Sequence, residues 1–508
     1  MKKFFAIILS IALVFSFATV AFAADATPHT YKAFQIFSGT LSTSGDTTEL
    51  KNIKWGNGIK ADDFLEALKA DATFGDTFKD CTTAADVAAI LGGANGTAAW
   101  ADKSDNANHF ARLAYKYKDG SGVTAVAGTT SLDAGYYLVV DTTTFPEGET
   151  GTYRNLALLQ MTGKGTFDIE MKSSVPTVQK KVKDINDSDN NGLSDWQDSA
   201  DYDIGDTIPF QLKATIGKDI SMFKTYELIF HDTGCKGLEV NKDSFVVKVD
   251  GKELASTKYI VVKSGNNFSV AVYDVKAEGA TEGSVITVEY NAVLDTDATI
   301  GAAGNPNEVY LEYSSNPNYI DQITTPSETN EHGKTPVDKV IVFTYQLNVN
   351  KIEMVDESKQ ALNGAGFTLY KKNSESNWIP VGEEIVNAAG NTFSWVGIDD
   401  GEYKLEETTV PDGYAKMKDL EFTVSAEHDV LSDNPALTSL TGGDIFSGTV
   451  DDIGILAGDI ENNRKGTILP ETGGMGTKIF YGAGSVLVVG AAVLLIAKKR
   501  TKKSEAAE

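Results

Sequence analysis

The chain has 508 residues, of which 71 are acidic and 45 basic, giving a formal net charge of −26. That balance excludes nucleic acid as a partner, because no basic stripe is present to neutralise phosphates. Two cysteines, Cys81 and Cys235, exclude a disulfide-stapled architecture in a chain of this length. At the N-terminus Met1-Lys2-Lys3 precedes an apolar run over 4–20 and an Ala21-Phe22-Ala23 cleavage site, so 1–23 reads as a secretory signal peptide. The remainder is long enough for three domains of about 100–200 residues. A Cys81–Cys235 bond would have to bridge two of them, so two buried thiols are expected.

The chain beyond 23 is dominated by strand patterns. Runs at 136–140, 245–249, 284–290 and 340–349 are β-branched or aromatic, and Gly, Asn and Asp clusters separate them. Repeated short strands of this kind predict a mainly β fold of tandem immunoglobulin-like β-sandwich domains. Helical composition and spacing at 61–70, 82–91 and 105–117 mark insertions in the first domain. Boundaries follow Ser173-Ser174-Val175-Pro176 and the polar stretch 324–336, which divides the chain into 24–174, 175–337 and 338–466. After 466, an uncharged run over 479–497 can cross a bilayer as a transmembrane helix, with Lys498, Lys499, Arg500, Lys502 and Lys503 holding its end inside.

One acidic loop in the middle domain has the spacing of a calcium loop. Asp187, Asp189, Asn191, Asp195 and Asp198 fall at positions 1, 3, 5, 9 and 12, with Gly192 at position 6. Its flanks read as strands and its last ligand is Asp instead of Glu, so a solvated acidic hairpin loop is the competing reading. No other cofactor is expected. The five histidines (His29, His109, His231, His332, His428) have no metal-ligand spacing, and no nucleophile elbow or phosphate-cradling loop occurs. Nothing in the chain points to an enzyme.

Several motifs resemble a known family. The third domain reads Leu347-Asn348-Val349-Asn350-Lys351-Ile352-Glu353, then Leu362-Asn363-Gly364-Ala365-Gly366-Phe367-Thr368-Leu369-Tyr370. Tyr403-Lys404-Leu405-Glu406-Glu407-Thr408-Thr409-Val410-Pro411-Asp412-Gly413-Tyr414 follows, and Ile460-Glu461-Asn462 comes last. This resembles a Cna B-type module, in which a lysine of the first strand joins an asparagine of the last as an isopeptide bond, assisted by a buried glutamate. The resemblance implies Lys351, Asn462 and Glu407 in those roles, with Asn463 the rival to Asn462. Strand parity agrees: Leu347, Val349 and Lys351 share a face, as do Tyr403, Leu405 and Glu407, while Glu406 has the opposite parity. The middle domain resembles the other isopeptide module of the same proteins. Val178, Lys180 and Val182 share a face, Asn307 lies in line with Val309, Leu311 and Tyr313, and Asp232 with Tyr226, Leu228 and Phe230. Lys180, Asn307 and Asp232 are therefore the expected set, with Lys181, Asn305, Asp203 and Asp206 as alternatives.

The tail Leu469-Pro470-Glu471-Thr472-Gly473, before the apolar run and basic cluster, resembles the cell-wall sorting signal that a sortase cuts between Thr and Gly. Taken together, these parts resemble the backbone pilin of a Gram-positive pilus. The resemblance implies a shaft subunit on the cell surface, joined by a class C sortase through Thr472 to a lysine of the next copy. Accessory pilins, a housekeeping sortase and peptidoglycan are the further partners it implies. The acceptor lysine of that family sits in a Tyr-Pro-Lys-Asn-type motif, which is absent here; Lys172 is the best-placed candidate and Lys183 the next. A singly wall-anchored adhesin with the same modules as a stalk is the alternative.

Overall fold

The computed structural model describes residues 29–44, 47–93, 99–101, 104–125, 130–144, 156–161, 165–166, 175–318 and 332–466. The signal peptide, Lys172, the sorting pentapeptide Leu469–Gly473 and the apolar run 479–497 lie outside them. No helix among the described residues is long and apolar enough to cross a membrane.

In the first domain the strand Tyr31–Ser44 is the hub of a five-stranded sheet. It pairs antiparallel with Thr47–Trp55, Gly135–Asp141 and Val123–Ala125, and Ala157–Met161 joins the far side of Gly135–Asp141. Three helices pack against it: α1 (Ala61–Ala70), α2 (Ala84–Leu91) and α3 (Asp105–Lys116). These are the expected insertions, with α2 starting two residues late because Thr83 caps it and forms a reciprocal capping box with Asp86. α1 buries Phe64 and Leu68, one helical turn apart, and α3 buries Phe110, Ala111, Leu113 and Ala114. Cys81 is buried in this core, and Cys235 is only half-buried in the middle domain; both thiols are free.

The middle domain is a sandwich of two sheets. One runs Lys252–Glu253, Val246–Val249, Val285–Leu294, Thr207–Thr215, Thr177–Val182. The other runs Tyr259–Ser264, Asn267–Val272, Leu228–Gly234, Asn305–Ser314, Asp338–Phe343, Ser199–Asp201. Val285–Leu294 shows how sequence builds the core: Ile286, Val288, Tyr290, Ala292 and Leu294 are buried and every residue between them is half-exposed.

The boundary expected at 338 falls instead at Thr344. Asp338–Phe343 pairs antiparallel with Asn305–Ser314 and parallel with Ser199–Asp201, so it belongs to the middle domain. The run 340–349 reads as one strand by composition, but the chain breaks at Thr344 and changes sheet. In the third domain, Tyr345–Val355 lies between Thr392–Ile398 (antiparallel) and Ile455–Glu461 (parallel), making the first and last long strands direct neighbours. Ala365–Lys372, Gly401–Thr409 and Leu420–His428 close the sandwich. The domains also touch. Arg112 of α3 donates to the backbone carbonyls of Met222 and Pro317, and Asn318 accepts from the Leu156 amide at 2.8 Å.

Candidate functional site

The third domain places a lysine, an asparagine and a glutamate together in its core. Tyr345, Leu347, Val349 and Lys351 alternate inward, and Lys351 lies opposite Ile460 in the parallel ladder. Asn462 follows directly, and its backbone amide continues the ladder to the Ile352 carbonyl at 3.0 Å. Glu407 comes in on the other side, behind Tyr403 and Leu405. Lys351 Nζ donates to Asn462 Oδ1 at 2.8 Å, Asn462 Nδ2 donates to Glu407 Oε1 at 2.7 Å, and Nζ is 3.3 Å from that same oxygen. The Met417 amide donates to Glu407 Oε2 at 2.8 Å, which fixes the carboxyl group.

Lys351 and Glu407 are wholly buried and Asn462 nearly so. Burial pulls the Lys351 amine below its usual value, against the pull of Glu407, which favours a neutral and nucleophilic nitrogen. Such an amine is placed to add to the Asn462 side-chain carbonyl carbon. A new Nζ–Cγ bond would form, the Cγ–Nδ2 bond would break, and a proton relayed by Glu407 would let Nδ2 leave as ammonia. Asn463 is exposed and Glu406 turns outward to Lys416 at 2.9 Å, so neither rival competes.

A second buried lysine lies in the middle domain. Lys180 contacts Asp232 Oδ2 and donates to the Tyr290 hydroxyl at 3.0 Å. Tyr290 in turn donates to Asp232 Oδ2 at 3.1 Å and accepts from Asn307 Nδ2 at 2.9 Å. All four side chains are buried, and Asn307 Oδ1 and Asp232 Oδ1 have no hydrogen-bond partner. Burial lowers the Lys180 amine and raises the Asp232 carboxyl, each against the other's pull, so a neutral pair is favoured. The four alternatives sit elsewhere. Lys181 pairs with Asp198, and Asn305 is engaged by Thr299 and Val342. Asp203 contacts Lys371, and Asp206 accepts from the Asp203 amide.

Comparison with known proteins finds similarity to Gram-positive surface and pilus proteins. Residues 345–434 match the SpaA prealbumin-like fold domain, a span that contains Lys351 and Glu407 and stops short of Asn462. The trypsin-resistant surface T6 protein of Streptococcus pyogenes serotype M6 is 25% identical over 394 residues, covering 65% of this chain and 70% of that protein. The solved T6 backbone pilin, described as a modular three-domain structure, superposes with a TM-score of 0.51 at 18% identity, covering 86% of this chain and 96% of that one. The chain resembles the Gram-positive backbone pilins. The full-length major pilin SpaD of Corynebacterium diphtheriae is a more distant match, with a TM-score of 0.44 at 18% identity over 86% of this chain and 93% of that one.

Other expected features of this pilin-like chain need correction or fall outside the described residues. The five calcium-loop residues do not converge. Asp187 faces Lys371 at 3.2 Å, Asp198 contacts Lys181, Asp189 binds the amide and side chain of Asn191, and Asp195 is exposed. Lysine ammonium groups engage both ends of the loop, which the antiparallel Val182–Gln197 bridge closes before the chain continues as strand Ser199–Asp201. Lys172 lies outside the described residues, and Lys183 sits over the Trp196 ring at 5.1 Å. Tyr290 is the member of the middle-domain cluster that sequence reasoning missed. A phenol on the inward face of an otherwise apolar strand was its one signal.

Proposed function

We propose that this chain is the shaft-forming subunit of a covalent surface pilus. A class C sortase cuts the tail after Thr472 and passes the threonyl group to Lys172 of the next copy, and a housekeeping sortase finally moves the polymer onto peptidoglycan. Each subunit is locked by two self-formed bonds, Lys351 to Asn462 and Lys180 to Asn307. The observation that carries this reading is the pair of buried lysine–acid–asparagine sets in consecutive sandwiches. The likeness to a backbone pilin supports it. An internal amide that ties the first strand of a sandwich to a late one suits a rod under tension, since it restricts the unfolded chain and is not reducible. It also accounts for protease resistance, a property in the name of the relative from Streptococcus pyogenes. Lys172 follows from its place between the first two domains. Immunoblots of wall extracts boiled in SDS test the proposal. The parent protein should give a high-mass ladder that Lys172→Ala abolishes, and a single parent band would favour a singly anchored adhesin.

A further inference from the structure

The junction between the second and third domains carries far more negative charge than it neutralises. Asp187, Asp203 and Asp206 of the middle domain meet Asp399 of the third so that one carboxylate oxygen of each lies within 4.8 Å of the other three. The one ammonium among them is Lys371, which contacts Asp399 Oδ1 and lies 2.8 Å from Asp203 and 3.2 Å from Asp187. Close by, His428 faces Asp184 at 3.6 Å and Asp201 at 3.3 Å, and Asp400 accepts from the Asn186 side chain at 2.7 Å. Asp399 supplies an independent observation: it is wholly buried, yet its Oδ2 has no hydrogen-bond partner. A buried carboxylate oxygen left unpaired is expensive unless a proton or a cation meets it.

We propose that Asp187, Asp203, Asp206 and Asp399 form a calcium site that clamps the middle and third domains together. The donor set is all oxygen, which selects a hard cation over zinc or copper. Four carboxylates separate calcium from magnesium: calcium tolerates an irregular shell of many protein oxygens, whereas magnesium demands near-ideal octahedral geometry and keeps most of its waters. A cavity of about 800 Å³ lined by Asp187, Asp203 and Lys371 provides the entry path, and Lys371 turns out into it when the ion enters. Of the sequential loop only Asp187 takes part, so the site is built by tertiary contact and not by the loop's spacing.

Calorimetric titration of the EDTA-treated full chain in detergent with CaCl2 tests the site. One saturable site per chain is expected, and Asp399→Asn should bind on the order of 100-fold more weakly, the upper end for disturbing a metal's surroundings. Lys371→Met removes the competing ammonium and should bind calcium more tightly, an effect that a misfolded variant cannot mimic. Asp189→Ala and Asp195→Ala should bind as the parent does. No saturable heat in the parent, unchanged affinity in Asp399→Asn, weaker binding in Lys371→Met, or loss of binding in the two loop variants would each overturn the proposal.

Discussion

Replacing Glu407 by Gln separates the internal bond from the packing around it. The substitution keeps the size of the side chain and leaves Lys351 and Asn462 in place, but removes the acid that the proposed ammonia loss requires. The tie closes a loop of 111 residues. In the chain-entropy treatment used for disulfides, a loop of that length is worth about 4.8 kcal/mol. For a domain of this size that corresponds to a fall of roughly 15–25 °C in melting temperature. Two assays read the outcome on the same sample. Intact-mass spectrometry should find Glu407→Gln one ammonia heavier than the parent, beyond the change made by the substitution itself, and calorimetry should find the third-domain transition lowered by that amount. Equal ammonia counts in parent and variant would refute the assignment of Glu407. A parent of full unreacted mass would refute the bond itself.

The middle-domain set makes a parallel prediction. The parent should be two ammonias lighter than its sequence mass, whereas Asp232→Asn should be one ammonia heavier than the parent. Tyr290→Phe removes the hydroxyl that joins Lys180, Asp232 and Asn307, and should leave a measurable unreacted fraction in freshly folded protein. His428 predicts a pH effect at the domain junction. Burial opposes its charge, but Asp184 and Asp201 outweigh this and raise it to about 10. A raised folded-state value stabilises fully below the unfolded value of about 6.5, and the contribution is lost as pH rises through the folded one. His428→Ala should therefore lower the melting temperature near neutral pH and have little effect above about 10; an equal drop at both pH values would contradict the ion-pair role. Thr472→Ala should leave the folded domains unchanged and abolish the covalent ladder.

Much of this architecture was legible in the sequence. Alternation alone put Lys351 and Glu407 on inward faces, because strand geometry has a fixed period of two. The helices of the first domain were readable because their apolar residues recur at helical spacing. Three features were hidden, each for a physical reason. The third-domain boundary was displaced because Thr344 interrupts an otherwise uniform β-branched run, and only pairing partners reveal which sheet each half joins. Tyr290 was missed because a core tyrosine is commonplace and its hydroxyl acquires a role only beside Lys180 and Asn307. The acidic cluster at the domain junction could not be read because Asp399 lies far along the chain from Asp187 and Asp203. The spacing that suggested a calcium loop belongs to residues that the fold points in different directions.

The central claim is that one copy of this chain becomes covalently bonded to the next. Tryptic digestion of high-mass material released from the wall, followed by tandem mass spectrometry, tests it directly. The account predicts a branched peptide in which the Thr472 carbonyl is bonded to the Lys172 side-chain nitrogen of a second copy. Recovery of Thr472 only on wall cross-bridge peptides, with Lys172 unmodified throughout, would contradict it.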